Sequence, residues 1–128
     1  MTKKDTRIDL TEANKKIARF IRERDWEQFH SPKNLSMSIA IEAAELMEHF
    51  QWSNSDEEAH KVLQDKIKLK EIEDEIADIA IYLLDFCQLY HIDLAKAIET
   101  KMEKNIQKYP AALAKGKSNK YTMYQSGG

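Results

Sequence analysis

Cysteine, glycine and proline are scarce in this chain of 128 residues, which has one cysteine, three glycines and two prolines. The single cysteine, Cys87, cannot form an internal disulfide, and within an apolar run it is expected to be a small buried hydrophobe rather than a nucleophile. No apolar run approaches the roughly 20 residues that a membrane-spanning helix requires. Residues 1–9 are polar and lack the apolar stretch of a signal peptide. We therefore expect a cytoplasmic protein.

An excess of charge of one sign is also lacking. Charged residues make up 33% of the chain, yet the formal net charge is only −2, which gives no electrostatic support for a dedicated nucleic-acid-binding surface. The length fits one domain with a modest core. We expect a helical domain over residues 1–113, of which roughly the first nine are loosely held, and a mobile polar tail over residues 114–128.

Apolar residues recur at helical spacing along most of the chain, and this periodicity predicts an all-α fold. The predicted helices cover residues 11–29, 32–50, 58–64, 66–90 and 93–108. Thr11 and Asp93 are the predicted N-caps of the first and last helices, and Pro32 after Ser31 suits the first turn of the second. Pro110 ends the last helix because proline disfavours a helical conformation in the residue before it.

Several acids lie on the apolar faces of the predicted helices, where an amphipathic helix normally carries none. Glu42 lies three residues after Ile39, and Glu45 is one turn further on. Glu75 and Asp78 repeat this pattern on the fourth predicted helix. Ionised carboxylates are costly in apolar surroundings unless a cation meets them. Two such pairs, on helices that must pack together, therefore predict a divalent-cation site with oxygen ligands, for Mg²⁺ first and Mn²⁺ second.

Two other interpretations of the acidic residues fit the sequence less well. A solvated acidic face fits Glu71, Glu73 and Asp74, which lack an apolar context. A di-iron carboxylate bundle needs a Glu-x-x-His motif on two helices, and neither Glu45 nor Glu48 has a histidine three residues further on. The oxygen-only site is therefore preferred.

Four segments, in order along the chain, carry a resemblance to a known family. They are R-D-W-E-Q-F-H at residues 24–30 with Pro32 and Asn34 beyond it, E-A-A-E at 42–45 followed by F-Q-W at 50–52, E-I-A-D at 75–78, and K-M-E-K-N-I-Q-K-Y-P at 101–110. Over about residues 10–122 the chain resembles the dCTP pyrophosphatase branch of the MazG-like enzymes. The resemblance implies a magnesium-dependent hydrolase that converts a nucleoside triphosphate, dCTP or a modified dCTP, to the monophosphate and pyrophosphate. Such an enzyme removes surplus or non-standard nucleotides.

The resemblance also implies an assembly and a set of site residues. It implies a four-helix-bundle core in a homodimer or a dimer of dimers, with active sites formed between subunits. The metal ligands, which act in catalysis through an activated water, are then Glu42, Glu45, Glu75 and Asp78. The residues expected to bind substrate are Trp26, His30, Asn34, Trp52, Tyr82, Lys101, Asn105, Lys108 and Tyr109.

The side-chain chemistry of the substrate-binding candidates suits a nucleotide. Lys101, Asn105 and Lys108 are spaced at i, i+4 and i+7, so one helix face can offer two cations and an amide to a triphosphate. Trp26 and Trp52 offer rings on which a nucleobase can stack. A solvated basic helix face and ordinary core packing of the tryptophans are the alternatives.

At Ile17 the chain departs from the dCTP-preferring relatives that it resembles, which carry a histidine near the base pocket at that place. The base and sugar preference is therefore open, as are the number of metal ions and the choice of the carboxylate that acts as base. Asp85 is expected to be structural or interfacial, and His49 is given no role. Two other functions are retained: a non-catalytic helical partner-binding module of the same fold, and a related hydrolase for another base, as in dUTP.

Overall fold

Six α-helices and one short 3₁₀ turn make up the regular structure of residues 9–116, the part of the chain that the computed structural model describes. The helices are α1 (Leu10–Glu23), α2 (Pro32–Glu48), α3 (Asp56–Gln64), α4 (Lys66–Leu89), α5 (Leu94–Lys108) and α6 (Ala111–Ala114), and the 3₁₀ turn spans Glu27–Phe29. The all-α prediction is thereby confirmed. The loosely held start and most of the mobile tail, which were predicted from sequence, lie outside the described residues.

Helix α1 begins one residue earlier than the sequence predicts, and it also ends earlier. Its N-cap is Asp9, whose Oδ1 accepts a hydrogen bond of 2.8 Å from the backbone N–H of Thr11. Thr11 is therefore inside the helix, and its assignment as N-cap was wrong. The predicted continuation of this helix as far as Phe29 was also wrong, because the helix ends at Glu23 and a separate 3₁₀ turn follows.

The end of α1 is a Schellman motif centred on Asp25. Asp25 has a positive φ of 54°, a conformation that a right-handed helix cannot continue through. Its N–H donates to the carbonyl of Arg22 at 3.1 Å, and the N–H of Trp26 donates to the carbonyl of Ile21 at 3.0 Å. The Trp26 ring then packs edge-on against Phe20, with ring centroids 5.6 Å apart. This arrangement turns the chain back over the end of α1 and fixes the position of Trp26.

The remaining helix starts follow their capping residues. Ser31 Oγ accepts from the N–H of Asn34 at 3.1 Å, and Pro32 occupies the first turn of α2. Asp93 accepts from the N–H of Lys96 at 3.0 Å and caps α5. Both starts agree with the sequence prediction, since a side-chain oxygen at the N-cap satisfies an otherwise unpaired backbone donor.

Helices α2 and α4 pack against each other, and α1 and α3 also contact α4. The buried apolar residues are Ile17, Ile21, Leu35, Ile72, Leu84 and Cys87. Cys87 is the small buried hydrophobe that the sequence indicates, and burial raises the pKa of its thiol. The apolar face of α4 is only partly buried, since Ile76 is 52% exposed and Leu83 is 38% exposed.

The chain divides into two compact units between His91 and Ile92. The first contains α1 to α4, and the second contains α5 and α6. Helix α4 is followed by His91 with a positive φ of 56°, so the helical path stops there. Among the described helices, none combines the length and the apolar character that crossing a bilayer requires.

Candidate active site

Three carboxylates from α2 and α4 meet in the first unit. One oxygen each from Glu42, Glu75 and Asp78 lies within 4.8 Å of the other two. Glu42 comes from α2, while Glu75 and Asp78 are one turn apart on α4, so the packing of these two helices closes the cluster. The structure thus brings together three of the four acids that the sequence predicts as metal ligands.

The fourth predicted ligand, Glu45, lies beside the same cluster. It is one turn beyond Glu42 on α2, and its proximity raises the pKa of both Glu42 and Glu75. It does not belong to the set of three whose oxygens are all mutually close. Its contact with a bound ion therefore stays a prediction.

Two oxygens of the cluster are buried and receive no hydrogen bond from the part of the chain that the structure describes. These are Oε2 of Glu42 and Oε2 of Glu75. Loss of solvent, followed by the nearby Glu45, raises the pKa of Glu42 to about 7. Loss of solvent, followed by the contact with Glu45, also raises the pKa of Glu75. Orphaned buried oxygens in an all-oxygen donor set fit a hard divalent cation, which would supply the missing partner.

His49, to which the sequence analysis gave no role, lies next to the cluster. Its Nε2 is 3.9 Å from Oε1 of Glu75, its Nδ1 is 4.0 Å from Oε2 of Glu71, and its side chain is only 14% exposed. His49 is four residues after Glu45, so it shares the face of α2 that carries the acids. That spacing is the sequence signal that could have identified it.

A cleft of about 420 Å³ opens beside the cluster, and Asp78 belongs to both. Its lining is Lys16, Ile17, Phe20, Ile21, Trp26, His30, Asp78, Ile81, Tyr82 and Asp85. The volume and the mixture of aromatic, aliphatic and a few polar groups are typical of a small-molecule site. Three residues predicted to bind substrate, Trp26, His30 and Tyr82, therefore share one cleft with a predicted metal ligand.

One wall of the cleft carries a hydrogen-bonded pair that the sequence did not reveal. Nδ1 of His30 lies 2.5 Å from Oδ2 of Asp85, and the hydroxyl of Tyr90 donates to the carbonyl oxygen of His30 at 2.8 Å. Asp85 is only 4% exposed, although it is charged. It has the structural contact that was expected of it, but it also lines the cleft.

Two predicted substrate-binding residues are outside the lining of this cleft. Nδ2 of Asn34 donates to the carbonyl of Phe29 at 2.9 Å, which ties the start of α2 to the preceding 3₁₀ turn. Trp52 follows α2 in a turn and is 83% exposed. Within the single chain, Asn34 therefore supports the loop that carries His30, and Trp52 presents its ring to the surroundings.

The four predicted phosphate-binding residues belong to the second unit. Lys101, Asn105 and Lys108 are on α5, and Tyr109 is its C-cap, with an N–H that donates to the carbonyl of Asn105 at 2.8 Å. Lys101 and its neighbour Lys104 line an open groove along this helix. Their spacing on one helix agrees with the sequence, and their contact with a triphosphate stays a prediction.

Comparisons with known proteins relate the chain to nucleotide pyrophosphatases. A model of the MazG-like family matches residues 37–123. The dCTP pyrophosphatase 1 of Rattus norvegicus is 41% identical over 105 residues, which are 82% of this chain and 61% of the rat protein. The human protein of the same name is 38% identical over 110 residues, which are 86% of this chain and 64% of the human one. The chain thus spans less than two thirds of the length of these relatives.

A solved structure also matches this chain, and the match covers nearly the whole length of the solved protein. The crystal structure of a pyrophosphatase from Archaeoglobus fulgidus superposes with a TM-score of 0.76 at 43% sequence identity. The match covers 81% of this chain and 94% of the archaeal one.

Proposed function

Because this chain belongs to the MazG-like family, we propose that it is a metal-dependent nucleoside triphosphate pyrophosphohydrolase. The observation that carries the proposal is the position of Asp78, which is shared by the carboxylate cluster and by the aromatic cleft. A nucleotide with its base in the cleft would direct its phosphates towards the carboxylates. Hydrolysis at the α-phosphate, which is attached to the nucleoside, requires that this phosphate lie close to the carboxylates.

The ion we propose is Mg²⁺, with Mn²⁺ as a substitute, and Glu42, Glu45, Glu75 and Asp78 would hold it. The oxygen-only donor set favours these hard ions over zinc or copper. When bound, such an ion supplies positive charge against the triphosphate oxygens and makes water a stronger nucleophile.

The chain's own residues then have separate tasks in the proposed reaction. The water oxygen forms a bond to the α-phosphorus, and the bond from this phosphorus to the α–β bridging oxygen breaks, so that pyrophosphate leaves and the monophosphate remains. The proton of the water passes to one of the clustered carboxylates. Lys101, Asn105, Lys108 and Tyr109 would hold the phosphates, because phosphoryl transfer depends on positioning and positive charge.

The proposed substrate is dCTP or a modified dCTP. The rat and human relatives are named for this nucleotide, and the chain keeps a cleft suited to a base and sugar. Trp26 offers a ring for base stacking, while His30 and Tyr82 offer polar atoms in the same cleft. Such an activity would remove surplus or non-standard deoxynucleotides.

We also propose that the chain self-associates as a homodimer or a dimer of dimers, with a four-helix core. Apolar residues next to the acids are exposed in the single chain, Ile41 by 54% and Ile76 by 52%. Trp52, at 83% exposure, would bind substrate in the cleft of a second copy. Exposed apolar surface of this kind is typical of protein–protein contacts. Sedimentation equilibrium of the purified chain tests the association directly.

The experiment that tests the function is an analysis of reaction products. The protein is incubated with Mg²⁺ and, separately, with dCTP, dUTP, dTTP, dATP, dGTP or CTP, and the products are separated by ion-exchange chromatography. We expect monophosphate and pyrophosphate, and no turnover when EDTA is present. Diphosphate and orthophosphate as products would contradict the proposed cleavage. An inactive protein whose melting temperature is unchanged by Mg²⁺ with a non-hydrolysable nucleotide would favour the partner-binding module.

A further inference from the structure

We propose that the Asp85 carboxylate, held in place by His30, selects pyrimidine bases with an amino group at position 4 over those with a carbonyl there. The proposal rests on the proposed nucleotide hydrolase and adds the residue that determines its base preference. In chemical terms the cleft takes cytosine in preference to uracil or thymine.

The geometry shows a buried carboxylate with unused hydrogen-bonding capacity at the cleft. Asp85 is only 4% exposed and lines the cleft. Its Oδ2 is bonded to Nδ1 of His30, and within residues 9–116 its Oδ1 receives no hydrogen bond. Because Oδ1 is left without a protein donor there, a ligand that brings a donor to it forms a charge-assisted hydrogen bond and gains binding free energy.

His30 keeps this carboxylate in a fixed orientation. An ionised carboxylate can only accept hydrogen bonds, so Nδ1 of His30 donates to it and the ring is held by that bond. The backbone at His30 is anchored separately, because Tyr90 donates its hydroxyl proton to the His30 carbonyl. The carboxylate is therefore positioned before a ligand arrives, which lowers the entropic cost of using it for recognition.

The acceptor character of Asp85 gives the direction of the preference. Cytosine carries an amino group at N4, which donates to carboxylates, whereas thymine carries an acceptor oxygen at the same place. Uracil carries the same O4 as thymine. A carbonyl oxygen facing Oδ1 would leave two hydrogen-bond acceptors opposed in the cleft. Loss of one hydrogen bond to a charged group corresponds to about a ten- to hundred-fold change in preference.

The test compares kcat/KM for dCTP and dUTP in the full chain and in two variants. Asp85→Asn keeps the shape but places an amide at the cleft, and we expect the dCTP-to-dUTP ratio to fall about ten- to hundred-fold. Asp74→Asn is the matched control, since Asp74 lies on the same helix, pairs with Lys70 and has a 65% exposed side chain. Its ratio should equal that of the unaltered chain. A ratio unchanged by Asp85→Asn, or an unaltered chain that prefers dUTP, would overturn the proposal.

A binding measurement separates this proposal from the proposed hydrolase. Calorimetric titration of the unaltered chain with dCMP and with dUMP needs no turnover and no variant. At least about ten-fold tighter binding of dCMP supports the role of Asp85 even if no triphosphate is hydrolysed. Equal binding, tighter dUMP binding, or no binding of either nucleotide overturns it, even if hydrolysis is found.

Discussion

Glu42 on α2 and Glu75 on α4 each bury one carboxylate oxygen, Oε2, that receives no hydrogen bond from any of the described residues, and the two groups lie within the same cluster of oxygens. Two acids in this relation repel each other when both are ionised, and removal from water adds to the cost. The arrangement opposes the stability of the metal-free protein and favours the binding of a cation. The first two predictions test these opposite effects.

Replacement of Glu42 by glutamine should separate activity from stability. The variant removes one negative charge from the cluster while keeping its shape, so we expect metal-dependent hydrolysis to fall by at least about 100-fold, since even outer-shell partners of metal ligands contribute 10- to 100-fold. At pH 8 in EDTA its melting temperature should equal or exceed that of the unaltered chain, because a desolvated charge has been removed. Steady-state kinetics and a thermal melt measure the two effects.

The control for this variant is Glu73→Gln, which alters an exposed acid on α4. We expect it to leave both the activity and the melting temperature close to their original values, as is usual for surface substitutions. Full activity in Glu42→Gln would show that Glu42 is not a ligand. A large loss of stability in EDTA would contradict the repulsion argued above.

The pH dependence of stability should differ between the metal-free and the metal-bound chain. The pKa of Glu42 rises from 4.5 to about 7 on folding, so the folded chain binds more protons than the unfolded one between these values. The stability contributed by this group is therefore fully present below pH 4.5 and is lost as the pH rises through about 7. Added Mg²⁺ should stabilise the chain more at pH 8 than at pH 5, since a ligand must lose its proton to bind.

Thermal melts at pH 5, 6, 7 and 8, with EDTA or with Mg²⁺, measure this dependence. Glu42→Gln is the appropriate reference, because it lacks the titrating group and should flatten the Glu42 part of the profile in EDTA. An increase in Mg²⁺ stabilisation towards acid pH would be incompatible with carboxylate ligands of raised pKa.

The parts of this structure that could be predicted from sequence depend on residues close together in the chain. Ser31 and Asp93 cap their helices through backbone groups three residues away, so the local sequence contains the whole interaction. The acid cluster was also predictable, because each helix carries its acids one turn apart on a partly apolar face. When α2 and α4 pack together through these faces, their acids must lie close to each other.

Other features could not be derived from spacing. The contact between His30 and Asp85 joins residues 55 positions apart, and no periodic pattern links a loop to the middle of a helix. The end of α1 was missed for a different reason. A left-handed residue after a helix is usually glycine, but here it is Asp25, which also holds the turn by accepting from Gln28 Nε2 through its carbonyl.

Replacement of Trp26 should affect both nucleotide binding and the end of α1. Trp26→Ala removes a wall of the cleft and the ring contact with Phe20, and base stacking on an aromatic ring contributes about 1–3 kcal/mol. We expect kcat/KM to fall roughly ten-fold or more and the free energy of unfolding to fall by about 1 kcal/mol. Trp26→Phe should retain most of the activity and most of the stability.

The control is Phe29→Ala, at an exposed aromatic outside the cleft. An equal loss of kcat/KM in that control would show that the effect of Trp26 is not specific to the cleft.

Ile17 offers a test of how the cleft sets its base preference. It is 9% exposed and lines the cleft, at the place where the dCTP-preferring enzymes that this chain resembles carry a histidine. Ile17→His places a polar ring among Phe20, Ile21 and Tyr82, so we expect a loss of about 1–3 kcal/mol in the free energy of unfolding. We also expect a higher ratio of dCTP to dUTP turnover, since a second polar group then faces the base. Ile17→Leu conserves volume and should cost less than about 1.5 kcal/mol with no change in the ratio. Denaturant unfolding and the two-substrate assay measure these effects, and an unchanged ratio in Ile17→His would mean that position 17 does not contact the base in this chain.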